Sequence, residues 1–154
     1  MDGFFHWSEE FVLGLEEIDE QHRKIAEVLN RLLSNYQSIS KNPESDNTNQ
    51  EPLTVGMNLL YGELERHFHN EEKLMQEVDY PDYQDHALEH LMLLAEMKNY
   101  CERFANHAED LDLSTLNSFK TWLITHMLGD QDLVDHVLSV RTAGGTQGST
   151  DGRN

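Results

Sequence analysis

Two pairs of metal-ligand side chains stand in one stretch of the sequence, His67 with Glu71 and His86 with His90. On an α-helix, positions i and i+4 share a face about 6 Å apart along the axis, so each pair aims two ligand heads into the same space. Between them, Asp79-Tyr80-Pro81-Asp82 reads as a turn that folds two helices back beside each other. His126 with Asp130 repeats the spacing further on, and His22 stands in an apolar stripe upstream. Imidazole and carboxylate heads meeting between helices are how a bundle builds a buried metal site.

Periodicity outlines the elements that must position these groups. Ile18, His22, Ile25, Leu29, Leu32 or Leu33 and Tyr36 recur in steps of three and four from about Glu16, which predicts a first helix. The polar stretch from Ser38 to Gln50 predicts a loop, and a second helix after Pro52 carries Met57, Leu60, Leu64, His67, Glu71 and Val78. A third holds Tyr83, His86, His90, Met97 and Phe104. After a loop from Asn106 to Leu113, with Ser114 as N-cap, a fourth holds Leu116, Phe119, Leu123, His126, Asp130, Leu133 and Val137. Phe4, Phe5, Trp7 and Phe11 predict an N-terminal arm packed over the helices. The expectation is an all-α, antiparallel up-down four-helix bundle over residues 1–140 and a disordered, flexible polar tail over 141–154.

Composition narrows the function. A net charge of −18 argues against nucleic acid and against anionic membrane surfaces. The single Cys101 forms no intrachain disulfide, the N-terminus lacks the basic and apolar regions of a signal peptide, and no apolar run approaches the ~20 residues of a membrane span. A cytoplasmic protein is the expectation. His6, His69, His107 and His136 fall outside the stripes and read as surface residues.

His22, His67, Glu71, His86, His90, His126 and Asp130 all occupy stripe positions, on four helices. A buried carboxylate without a partner costs several kcal/mol, so a core holding these residues is consistent only with positive charge among them. Alone, His22 reads as a hydrogen-bonded core residue, His67 with Glu71 and His126 with Asp130 fit a structural contact as well as a ligand pair, and only His86 with His90 leans to metal; agreement among four helices is what points to metal. Seven side chains without thiolate exceed one tetrahedral zinc and suit two first-row ions, with iron favoured by mixed imidazole and carboxylate ligation. Neither the His-Glu-x-x-His protease motif nor the Glu-x-x-His signature of ferritin-like oxidases is present.

From Trp7 to Leu138 the chain resembles the hemerythrins, specifically single-domain bacterial ones. The resemblance rests on Ile18-Asp19-Glu20-Gln21-His22, on the run from His67-Phe68 through Glu71-Glu72, Met75 and Tyr80 to His86 and His90, and on Trp122-Leu123-Ile124-Thr125-His126-Met127. It implies an O₂-binding, non-haem diiron centre with a bridging oxo or hydroxo group. His86, His90 and His126 would hold one iron, and His22 and His67 the other, which keeps an open position. Glu71 and a helix-four Asp would bridge, with Trp122, Leu123 and Met127 as the apolar wall of the O₂ pocket. The family's bridging Asp falls five residues after the last His, where this chain has Gln131 between Asp130 and Asp132. The stripe favours Asp130; a local helix distortion would instead bring in Asp132 or leave Gln131 as a weak ligand. The implied role is O₂ storage, delivery or sensing by a monomer or weak oligomer rather than an enzyme. A diiron peroxidase, oxidase or nitric-oxide-handling enzyme is one rival, and a sensor module read by another domain is the other.

Overall fold

The first helix begins where acidic residues favour it. In a computed structural model, which describes residues 5–41, 52–107 and 111–151 (side chains at 40, 41 and from 144 onward lie outside it), α1 spans Glu16–Lys41. Glu16, Glu17 and Asp19 in its first turn complement the positive end of the helix dipole. Ser38 to Lys41, expected in a loop, continue α1 as helix, because no Gly or Pro interrupts the backbone there. The rest of that expected loop, residues 42–50, lies outside the described residues, as does Phe4.

Helix α2 (Leu53–Glu77) stops where Asp79 takes a left-handed conformation, φ +50°. The Tyr80 amide then donates back to Met75 O at 2.9 Å, satisfying an end carbonyl in the manner of a Schellman motif. Pro81 follows, and α3 (Tyr83–Asn106) runs back along α2. The start of α4 (Leu113–Gly129) is capped by Asp112, whose carboxylate accepts from the Thr115 amide at 2.8 Å; this corrects Ser114 as the expected cap.

The fourth helix of the bundle is broken at one residue. Asp130, with ψ −4°, separates α4 from α5 (Gln131–Asp151). Its amide donates to Met127 O at 3.2 Å rather than one turn back to His126, a local tightening of 3₁₀ type. Backbone helix carries on past Leu138 into the Gly-rich stretch, and Arg141 pairs with Glu17 of α1 at 2.7 Å.

The aromatic arm packs as expected. Phe5 and Phe11 are buried with ring centroids 4.8 Å apart, and Asn30 of α1 clasps Phe5 by accepting from its amide and donating to its carbonyl, at 2.7 and 2.8 Å. Asp19, only 2 % exposed, accepts from the Leu13 and Gly14 amides; Gly14 lies at φ +110°, which side chains rarely adopt. No helix among the described residues is long and apolar enough to cross a membrane.

Two apolar clusters fill the interior. The larger joins Ile25, Leu29, Leu60, Leu64, Phe68, Met97, Leu123 and Met127 with the arm; the smaller joins Ile18, Leu74, Met75, Leu133, Val134 and Val137. Between them in sequence on α1, α2 and the fourth helix lie the polar stripe residues.

Candidate metal centre

Each helix delivers its ligands by the expected periodicity. His22 comes from α1, His67 and Glu71 from α2, His86 and His90 from α3, His126 from α4, and Asp130 from the α4–α5 break. His22, His67, Glu71, His90, His126 and Asp130 are buried, and His86 is 12 % exposed. The two i+4 pairs and the fourth-helix residues are all brought together.

The donor atoms form two groups sharing one residue. Glu71, His86, His90 and His126 make one, and His22, His67, Glu71 and Asp130 the other, with ligand atoms in each group within 4.8 Å of one another. Glu71 spans them: Oε1 lies 2.8 Å from His86 Nε2 and 3.1 Å from His90 Nε2, while Oε2 lies 2.9 Å from His67 Nε2. Asp130 spans them from the opposite helix, with Oδ2 2.9 Å from His22 Nε2 and Oδ1 3.3 Å from His86 Nε2. Asp132 is exposed. Gln131 is engaged elsewhere, its amide donating to Leu13 O and to Asp135. Asp130, the residue the stripe favours, is the one that faces inward, and Asp132 and Gln131 do not.

His22 and His67 bring their Nε2 atoms within 3.2 Å, an arrangement in which two lone pairs repel unless a proton or a cation lies between them. Glu71 Oε2, His126 Nε2 and Asp130 Oδ1 are buried yet make no hydrogen bond of acceptable geometry among the described residues. Unpaired polar atoms at this density are costly in an ordinary core. A divalent cation in each group supplies the missing partner, so the residues present fit a two-metal centre.

Electrostatics within the cluster compensate in part. Burial pulls His67 down, but the Glu71 charge and the close Glu71 and Asp130 carboxylates outweigh it and raise it to about 9. His86 likewise, against its burial, is raised to about 10 by the Asp130 carboxylate close to its Nε2 and by the hydrogen bond and charge of Glu71. Burial pushes Glu71 up, yet the His67 charge and hydrogen bonds from its neighbours hold it well below the usual carboxylate range. Burial lowers His126. Without metal, protons on imidazoles therefore provide the counter-charge for the carboxylates.

Rings are fixed from behind and beside. Phe68 stacks on His90 with centroids 4.1 Å apart and planes 5° from parallel. His67 Nδ1 donates to Gln21 Oε1 at 2.6 Å and His90 Nδ1 to Glu72 Oε2 at 2.9 Å, while Glu89 Oε1 lies 3.8 Å from His126 Nδ1. Donation through Nδ1 leaves the Nε2 lone pair facing the centre, the form a metal requires. Sequence reasoning did not assign these roles to Gln21, Glu72 and Glu89. Their one signal is position, since each is the neighbour of a ligand: Gln21 precedes His22, Glu72 follows Glu71 and Glu89 precedes His90.

Leu123 and Met127, expected as pocket wall, are fully buried in the larger apolar cluster. Trp122 is half-buried and lines a cavity of about 140 Å³ with Glu96, Met97, Tyr100, Ser118 and Phe119, between α3 and α4. His6, His69 and His107 are exposed, but His136, expected at the surface, is half-buried and donates to Val78 O at 2.9 Å.

Comparison with known proteins agrees with this geometry. Residues 13–139 match the family described as Hemerythrin HHE cation binding domain. A protein of Stenotrophomonas maltophilia (strain R551-3) named Bacteriohemerythrin is 29 % identical over 126 residues, 80 % of this chain and 74 % of the relative. A Clostridium acetobutylicum protein of the same name is 27 % identical over 137 residues, 85 % of this chain and 99 % of the relative. No solved structure matches the chain significantly.

Proposed function

The chain belongs to the hemerythrin HHE cation-binding family, and on that premise we propose that it binds O₂ reversibly at a pair of iron ions. His86, His90 and His126 hold one ion and His22 and His67 the other, with Glu71 and Asp130 as bridges. The observation that carries this reading is the span of Glu71, whose Oε1 faces His86 and His90 and whose Oε2 faces His67, with Asp130 lying between His22 and His86. A single-metal site needs no such pair, and one tetrahedral ion leaves ligands over. The iron pair supplies the electrons for O₂ binding when bound.

The chain's own residues set the conditions. Nδ1 hydrogen bonds orient the imidazoles, and Glu71 and Asp130 exchange protonated histidine neighbours for metal charge. Leu123, Met127 and Phe68 keep water from the centre, which favours binding over irreversible oxidation. Trp122 closes the wall toward α3. With this set of roles the protein stores, delivers or senses O₂ in the cytoplasm rather than turning it over.

The test is metal content together with a visible spectrum, taken on deoxygenated protein, after air, and again under vacuum. About two irons per chain and an absorption that develops with O₂ and leaves under vacuum are expected on this ligand count. Two irons that oxidise without recovery would turn the reading toward a redox enzyme or redox sensor. Zinc alone, or no metal, would overturn it.

A further inference from the structure

We propose that Gln21 is a positioning residue that keeps the His22–His67 half of the centre the less electron-rich one, so that an ion there is the harder of the two to oxidise. The inference rests on the iron-pair reading above. It comes from the outer faces of the rings, where the two halves differ in charge. Behind the His86–His90–His126 half stand two carboxylates, Glu72 at 2.9 Å from His90 Nδ1 and Glu89 at 3.8 Å from His126 Nδ1. Behind the other half stands a neutral amide, Gln21, at 2.6 Å from His67 Nδ1, and His22 Nδ1 has no hydrogen-bond partner among the described residues.

A carboxylate accepting from Nδ1 draws the proton toward itself, makes Nε2 a stronger donor and favours the more highly charged metal. An amide oxygen fixes the same tautomer without adding charge. Gln21 can serve only in that orientation: with its NH₂ turned toward His67, Nδ1 would have to accept, and the ring proton would move to Nε2, in the place of the metal. Both halves share the inner carboxylates Glu71 and Asp130, but the half with fewer imidazoles is also the one with no carboxylate behind its rings. A reduced ion is protected there while the other half stabilises the oxidised state.

Gln21→Glu, Gln21→Ala and Glu72→Gln separate charge from positioning, with iron content, anaerobic midpoint potential and chelator competition for zinc as readouts. Gln21→Glu is expected to keep two metals and lower the midpoint, by about tenfold in the oxidised-to-reduced ratio, ~59 mV for one electron. Glu72→Gln shifts it upward, by less, because Glu72 is 32 % exposed and partly screened by water. Gln21→Ala weakens zinc affinity by roughly 10–100-fold without lowering the potential. A Gln21→Glu protein with the wild-type potential, or one indistinguishable from Gln21→Ala, overturns the proposal. If Gln21→Glu does not fold, Glu72→Gln decides alone: an upward shift supports it and no shift overturns it. A wild-type protein without two irons fails the preceding reading first, in the metal count, before any potential is measured.

Discussion

Two layers of the bundle interior lie one helical turn apart and are stabilised in different ways. Ile25, Leu64 and Leu123 are almost wholly buried and contain no polar side-chain atom. Three residues away on the same helices, His22, His67 and His126 are buried as deeply, with Glu71 and Asp130 among them. The apolar layer is complete once its surfaces meet, and each large side chain there contributes roughly 1.5–3 kcal/mol by leaving water. The polar layer meets and still leaves Glu71 Oε2, His126 Nε2 and Asp130 Oδ1 unpaired. One layer serves stability, and the other draws on that stability to hold candidate metal-ligand groups together.

The largest expected break in this contrast is Glu71→Gln. Glu71 belongs to both donor groups, so metal content measured by elemental analysis should fall below two per chain, and the folded helix content should remain. Asp130→Asn should also lower the content, while Asp132→Asn, on an exposed residue, should leave it unchanged. The reverse order would return Asp132 to the bridge and undo the role given to the helix break.

That break marks where sequence reasoning ran out. His22, His67, Glu71, His86, His90, His126 and Asp130 were legible because periodicity reports which helix face turns inward, and all lie on stripes. A one-residue tightening at Asp130 leaves no mark on periodicity, because Leu133 and Val137 resume the stripe beyond it. Gln21, Glu72 and Glu89 were missed for a related reason. They approach ring nitrogens across helix seams, by hydrogen bonds from Gln21 and Glu72 and an ion-pair distance from Glu89, and a contact between elements has no spacing rule within one of them. Ser38 to Lys41 were read as loop from composition, but a polar segment without Gly or Pro extends a helix readily.

Leu64→Ala probes the other layer. Its cavity should cost about 2–5 kcal/mol in urea unfolding and leave the metal count at two, the converse of Glu71→Gln. A lost metal count would mean that the apolar layer also sets ligand positions. Between these falls chelation, which removes charge and no protein atom. Loaded protein at free metal about 100-fold above its dissociation constant should be more stable than chelated protein by about 2.7 kcal/mol, read as a higher melting temperature.

The finest test of the contrast is the sign of a pH dependence. In the metal-free protein His67 is raised to about 9 and His86 to about 10, above the unfolded histidine value of about 6.5. Between those values the folded state binds more protons than the unfolded one, so stability falls as pH rises. This contribution is fully present below about pH 6.5 and is lost as pH passes through 9 to 10. Metal held by these histidines would take the same Nε2 positions and displace the protons. The loaded protein should therefore gain stability as pH rises toward about 6.5, where unfolded histidines lose their protons, and stay level above it. Melting temperatures at pH 7 and pH 9 are the measurement: chelated protein should melt lower at pH 9, and loaded protein should not. Parallel curves would mean that metal and protons do not compete for His67 and His86, and the polar layer would then be a hydrogen-bonded core rather than a ligand set. Ile25, Leu64 and Leu123 carry no titratable group, so any pH response specific to the chelated protein arises in the layer beside them.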